Sequence, residues 1–194
     1  MLIGFRAFES LQVTSGERII VVSEPGESKC RISILDNHSA LTAGHCGGVG
    51  SIVQNEHGRL IGQITDNFLY SGKNLDAAVV QFSQNVKVKA KSPRISLNQL
   101  SSPNTVWVLN GSKKPRKGTW ERAATVRKTM SLSRWRDLEI NVIEGRLPVK
   151  SGDSGAPVFD SSNKLAGIVQ GGNTKGLVNI TPAEQLFEVL NGES

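Results

Sequence analysis

The chain is poor in aromatics, which make up 5% of its residues, and it has two cysteines, seven prolines and three histidines in 194 residues. Two cysteines do not make a disulfide-dense scaffold, so a hydrophobic core has to carry the fold. No stretch approaches the roughly 18–20 apolar residues that span a bilayer as a helix. The opening Met1-Leu2-Ile3-Gly4-Phe5-Arg6 is too short an apolar run for a signal peptide. The expectation is a cytosolic protein, one released from a larger precursor, or one written without its leader. Long apolar segments of helical period are also scarce, which argues against a helical bundle.

What is present fits a soluble globular protein: 38% apolar, 21% charged, with 20 glycines. The length allows one large domain or two small ones. The net charge of +6 is modest, so an anionic partner is no better supported than a basic surface. Short β-branched runs bounded by turn residues recur along the chain, as in all-β barrels and sandwiches. Six fall in the first half: 18–22, 30–35, 39–43, 51–54, 60–65 and 77–82. Six fall in the second: 105–109, 119–126, 138–142, 156–159, 164–170 and 176–180. The polar stretch 93–104, carrying Pro93 and Pro103, reads as a linker between domains at 1–92 and 105–194. One helix is expected at the C-terminus. Thr181 and Glu184 form a capping box with Pro182 in the first turn, and Leu186, Phe187 and Leu190 share an apolar face.

Three segments carry chemistry. In Ser151-Gly152-Asp153-Ser154-Gly155-Ala156-Pro157 two glycines flank a serine, which allows a tight turn with an exposed hydroxyl and uncovered N–H groups. A nucleophile attacking a carbonyl needs both. In Leu41-Thr42-Ala43-Gly44-His45-Cys46 a histidine follows an apolar strand, and histidine is the side chain that ordinarily accepts a proton near neutral pH. His38 and His57 stand in polar turns and read as solvated. In Asn74-Leu75-Asp76-Ala77-Ala78-Val79 an aspartate opens an apolar strand and needs a partner for its carboxylate. Asp66 is its rival, in what reads as a loop.

Taken in the order His, Asp, Ser, separated by 31 and 78 residues, the three segments closely resemble the trypsin and chymotrypsin superfamily. The resemblance runs from about Ile19 to the C-terminal helix. It implies an all-β fold of two six-stranded antiparallel β-barrels with a C-terminal α-helix, and a serine endopeptidase acting on protein or peptide substrates. By that likeness Ser154 is the nucleophile, His45 the general base and Asp76 the residue orienting it. Gly152 and Ser154 supply the oxyanion-binding N–H groups, and Cys30 pairs with Cys46; two reduced thiols are the alternative. Substrate contacts fall on Pro148, Val149, Lys150 and Ser151, and on Val169, Gln170, Gly171 and Gly172. No cofactor and no metal is implied.

The sequence departs from the family in three places. Pro148 stands where trypsin-like members carry the aspartate that selects Arg or Lys. Val169 stands where glutamate-specific members place a histidine. No Ile-Val-Gly-Gly activation sequence occurs, so Asp153 needs a partner other than a new N-terminus. Two other functions compete: a catalytically dead relative that only binds, and an RNA- or membrane-binding protein using Lys113, Lys114, Arg116, Lys117, Arg122, Arg127 and Lys128, with Trp120 for stacking. Nucleic acid is not the expected partner, because most charge runs are solvated loops.

Overall fold

The computed structural model describes residues 10–24, 26–89, 94, 104–111, 114–131, 135–173 and 175–192. In the first half the strands are β1 (Leu11–Val13), β2 (Arg18–Ser23), β3 (Gly26–Arg31), β4 (Ser33–Ile34), β5 (Ser39–Thr42), β6 (Ile52–Asn55), β7 (Leu60–Asn67), β8 (Ala78–Phe82) and β9 (Val86–Val88). Alternation selects the inward face, as where Ile19 and Val21 of β2 are fully buried between less buried neighbours. Seven strands pair in the order β3-β2-β6-β7-β8-β5-β4. β3 and β4 are separated only by Ile32, so they behave as one bent strand at the two ends of the sheet. Counted so, six strands wrap into a barrel around Ile19, Ile32, Ile34, Val53, Ile61, Ile64 and Val80.

The second half contributes β10 (Asn104–Val108), β11 (Arg116–Ser131), β12 (Trp135–Arg146), β13 (Pro157–Phe159), β14 (Leu165–Gly172) and β15 (Val178–Pro182). They close into a barrel in the order β10-β11-β12-β15-β14-β13. Its core includes Val106, Val108, Trp120, Val158, Val169 and Ile180. The expected fold of two β-barrels and a C-terminal helix is the observed one.

Several local expectations change. The segment expected as one strand over 30–35 is broken at Ile32, and Asp66 lies on β7 rather than in a loop. β1 and β9, absent from the sequence reading, form a short parallel pair outside both barrels. β11 and β12 extend well beyond 119–126 and 138–142 into a long hairpin. The expected linker 93–104 lies outside the described residues except for Arg94 and Asn104.

The helix α1 (Ala183–Leu190) begins later than the capping box implied. Pro182 occupies the N-cap position and no side chain caps the end. Thr181 is fully buried, and its hydroxyl instead donates to the Asp76 carbonyl at 3.1 Å. Leu186 and Leu190 dock against Leu41, Ala77 and Val79 of the first barrel and Ile168 of the second, while Phe187 is only half-buried. Burying Leu186 contributes about 1.5–3 kcal/mol, enough to hold a two-turn helix that would not form alone. A second cluster across the barrels joins Leu69 and Tyr70 to Ile140, Val142, Ala124, Val126 and Leu138 of the hairpin. Among the described residues no helix is long and apolar enough to cross a membrane.

Cys30, near the end of β3, is disulfide-bonded to Cys46, which follows His45. The bridge closes a loop of 16 residues and restricts the unfolded chain. Replacing both cysteines by serine is therefore expected to lower the unfolding free energy by about 2–4 kcal/mol, read from the urea midpoint under oxidising conditions.

Candidate active site

Sheet register brings His45 and Asp76 together. β5 pairs with β8, Thr42 opposite Ala78, so the chain leaving β5 and the chain entering β8 emerge side by side. His45 sits in a single 3-10 turn, Gly44–Cys46, and Asp76 lies two residues before β8. Three neighbours fix that turn. A Cβ on Gly44 would come within 2.8 Å of the Leu69 Cβ and 3.0 Å of the Ala77 N, so the turn packs backbone against its support. Asn67 Nδ2 donates to the Gly44 and Gly47 carbonyls at 2.8 and 2.7 Å.

Asp76 is fully buried. Its Oδ1 accepts from the His45 backbone N–H at 2.9 Å, and its two oxygens lie 3.0 and 2.8 Å from His45 Nδ1. An ionised carboxylate only accepts, so Nδ1 carries the proton and Nε2 is left with a lone pair. Nε2 faces Ser154 Oγ at 3.1 Å. Burial, and then the charge of Asp76, push the phenol of nearby Tyr70 above its ordinary value. The rival Asp66 is exposed on β7, and His38 and His57 are exposed as expected.

Ser154 lies in the turn between β12 and β13, flanked by Gly152 and Gly155 at φ +85° and +86°. Neighbouring N–H groups are engaged: Asp153 donates to the Lys150 carbonyl and Gly155 to the Val169 carbonyl. Among the described residues the N–H groups of Gly152 and Ser154 have no acceptor. Two donors two positions apart can receive a developing oxyanion, while the imidazole facing the hydroxyl beside them can activate it as a nucleophile. Ser154 Oγ also lies 2.9 Å from the Gln170 carbonyl, so its one proton has two acceptors.

The residues expected to contact substrate fall in two groups. Pro148, Val149, Lys150 and Ser151 lead into the Ser154 turn; Val149 packs on the second barrel's core, and Lys150 and Ser151 are exposed. Of the second group, Val169 faces the core, Gln170 is buried with its amide on Thr181 Oγ1 at 3.0 Å, and Gly171 and Gly172 become progressively exposed. Beside Gly172 an open cavity of about 530 Å³ is lined also by Val126, Arg127, Glu144, Asn173, Lys175 and Asn179.

The partner that the sequence left open for Asp153 is Arg31. Asp153 is fully buried and pairs with Arg31 Nε at 2.7 Å, while Asn110 Nδ2 takes its other oxygen at 2.7 Å. Arg31, Asn67, Asn110 and Thr181 were all missed from sequence. Their contacts are long-range, and the one local signal was that Asp153 lacked a counter-charge. The basic segment fares less well as a binding surface. Trp120 is in the core and cannot stack on a base, Arg122 pairs with Glu144, and Arg127 with Glu139. Lys113 and the side chain of Lys128 lie outside the described residues.

A family model described as Trypsin matches residues 9–183. Solved structures share the fold at low identity. The active form of a protease from M. tuberculosis superposes with a TM-score of 0.70 at 13% identity, covering 98% of this chain and 93% of that one. A chymotrypsin from Cellulomonas bogoriensis gives 0.67 at 19% identity, with 94% and 97% covered. A Nocardiopsis protease gives 0.66 at 18%, with 93% and 96% covered. Among curated proteins none matches the sequence. Two β-barrels with a hydroxyl, an imidazole and a carboxylate aligned between them define a chymotrypsin-like serine protease fold. The chain belongs to the trypsin family.

The glycines beside Ser154 differ in what surrounds them. A Cβ on Gly155 would lie 2.7 Å from Thr42 Oγ1 and closer still to the Arg31 carbonyl oxygen, whereas on Gly152 its nearest neighbour is the Lys29 carbonyl oxygen at 3.7 Å. Gly155→Ala is therefore expected to cost about 2–5 kcal/mol from strain and clash together, and Gly152→Ala about 1–2 kcal/mol from backbone strain alone. Paired denaturant titrations check the difference.

Proposed function

We propose that the chain is a serine endopeptidase that cleaves peptide bonds through an acyl-enzyme, with Ser154 as nucleophile, His45 as general base and Asp76 orienting the base. The observation that carries this is the unbroken hydrogen-bonded line Asp76–His45–Ser154, at 2.8 and 3.1 Å. Ser154 Oγ attacks the scissile carbonyl carbon as its proton passes to His45 Nε2, and the carbonyl oxygen becomes an oxyanion between the Gly152 and Ser154 N–H groups. Collapse expels the amine, which takes the proton from His45, and leaves an ester on Ser154. A water then repeats the sequence: His45 accepts its proton and returns it to Ser154 Oγ as the ester bond breaks and the acid leaves.

The Gln170 carbonyl adds a control at the first step. It competes with His45 for the hydroxyl proton, at 2.9 against 3.1 Å. An extended substrate pairing with the end of β14 would place an N–H on that carbonyl. His45 would then be the better-placed acceptor for the proton.

A catalytically silent, binding-only relative is the competing reading. A fluorophosphonate probe separates the two, because it labels only an activated serine. We expect stoichiometric labelling that is lost in Ser154→Ala, together with loss of peptidase activity. Asp76→Asn should lower kcat about 10⁴-fold by misplacing the imidazole proton, while Asp66→Asn leaves turnover within about twofold. A parent that neither labels nor cleaves would sink the proposal.

Specificity follows from the lining. Asp153 is already engaged by Arg31, Glu144 in the cavity wall beside Gly172 is taken by Arg122 and Asn173, and no carboxylate occurs among Pro148 to Ser151 or Val169 to Gly172. A substrate Arg or Lys buried there would go unpaired, at a cost of several kcal/mol. Lys150 is exposed, which keeps its ammonium in water. In matched peptides differing only before the cut, kcat/KM should be highest for uncharged, apolar or small residues. A strong preference for Arg or Lys would refute this reading of the pocket.

A further inference from the structure

Arg31 ends β3 and is 4% exposed, an arginine inside the protein that no motif singles out. Its Nε donates to Asp153 Oδ1 and its Nη1 to the Gly16 carbonyl, both at 2.7 Å. Its backbone N–H donates to the Ser154 carbonyl, also at 2.7 Å. One residue of the first barrel thus holds two consecutive residues of the second, Asp153 by its side chain and Ser154 by its main chain.

The seat is shaped for this side chain. Gly111 has φ +82°, and a Cβ there would sit 2.6 Å from Arg31 Nη1. Asn110 Nδ2 bridges Asp153 Oδ2 at 2.7 Å and the Pro148 carbonyl at 3.0 Å, and the Lys150 N–H donates to Asp153 Oδ2 at 3.0 Å. The Asp153 carboxylate is therefore gripped from three directions, and the turn 150–153 closes around it. That turn decides where the Gly152 and Ser154 N–H groups point.

A covalent link completes the arrangement. Cys30 precedes Arg31 and is bonded to Cys46, which follows His45. Adjacent residues thus hold the two turns of the site, Cys30 that of His45 and Arg31 that of Ser154.

We propose that Arg31 is a positioning residue for the peptidase reaction, setting the Gly152 and Ser154 N–H donors and the approach of Ser154 to His45 from the opposite barrel. The inference rests on the endopeptidase reading above. Arg31→Lys keeps the charge but cannot supply the Nε and Nη1 contacts together. It should lower kcat at least about tenfold, with KM within about threefold and melting little changed. Arg31→Met alone strands a buried carboxylate and would damage folding for that reason. Arg31→Met with Asp153→Leu removes both charges. That double variant should melt near the parent yet stay about 10²–10³-fold slow, the loss typical of a misplaced oxyanion donor. Its affinity for a peptide aldehyde, whose adduct oxygen uses the same donors, should fall in parallel.

A purely structural Arg31 predicts the reverse, with activity returning wherever stability does. A double variant as stable and as active as the parent would overturn the proposal. So would an Arg31→Lys variant with unchanged kcat, and that variant decides the matter even if the double one does not fold. If the parent itself neither cleaves peptides nor reacts with a fluorophosphonate, the endopeptidase reading fails. An active parent with equally active variants removes only the role of Arg31.

Discussion

A carboxylate cut off from water must be met by donors from the protein, and Asp76 obtains them from His45. It engages the backbone N–H of His45 as well as the ring, so the charge fixes both where the turn runs and which way the imidazole faces. The surroundings serve that bond. The β5–β8 register brings the two residues level, Asn67 ties down the carbonyls around the histidine, and Thr181 holds the Asp76 carbonyl from the second barrel. Rotating the ring away would forfeit its hydrogen bond to a fully buried carboxylate, which is why a half-exposed imidazole can be held in one orientation.

The seam between the barrels is made of unlike materials. Apolar clusters gather around Leu186 and around Leu69, each drawing residues from both barrels. A polar set also crosses the seam: Arg31 with Asp153, Asn110 on the same carboxylate, and the Ser33 hydroxyl on the Gly155 carbonyl. A buried ion pair is a weak source of net stability, because desolvation offsets most of its attraction. Its value here is directional. Apolar packing alone would tolerate small slides of one barrel over the other, whereas these hydrogen bonds fail within a fraction of an ångström.

The three motifs were legible because their chemistry is local: a glycine-flanked serine, a histidine closing a strand, an aspartate opening one. The strands were legible where short β-branched runs stand between turn residues, as in β2 and β8. The full extent of the long hairpin was not. Arg116, Lys117, Arg122 and Arg127 line it, and charged residues on an exposed strand hide the alternation that marks a buried one. β1 and β9 are three residues each, too short to show any period, and their pairing is parallel and distant. Thr181 looked like a cap because Glu184 follows at the right spacing, but a donor beside Asp76 outweighed the helix end. Arg31 was invisible for a similar reason: its partner lies 122 residues away.

The main-chain bond from Arg31 to Ser154 has a consequence for biosynthesis. The ribosome delivers the first barrel complete with His45 and Asp76, and at about 5–20 residues per second the serine follows only several seconds later. Even then the serine turn gains its shape by closing on Arg31, so it cannot finish until both halves have folded and met. The proposed catalytic centre thus cannot be complete before the second barrel has joined the first. While neighbouring nascent chains are still extended and vulnerable, this one carries the pieces of a blade that has not yet been joined.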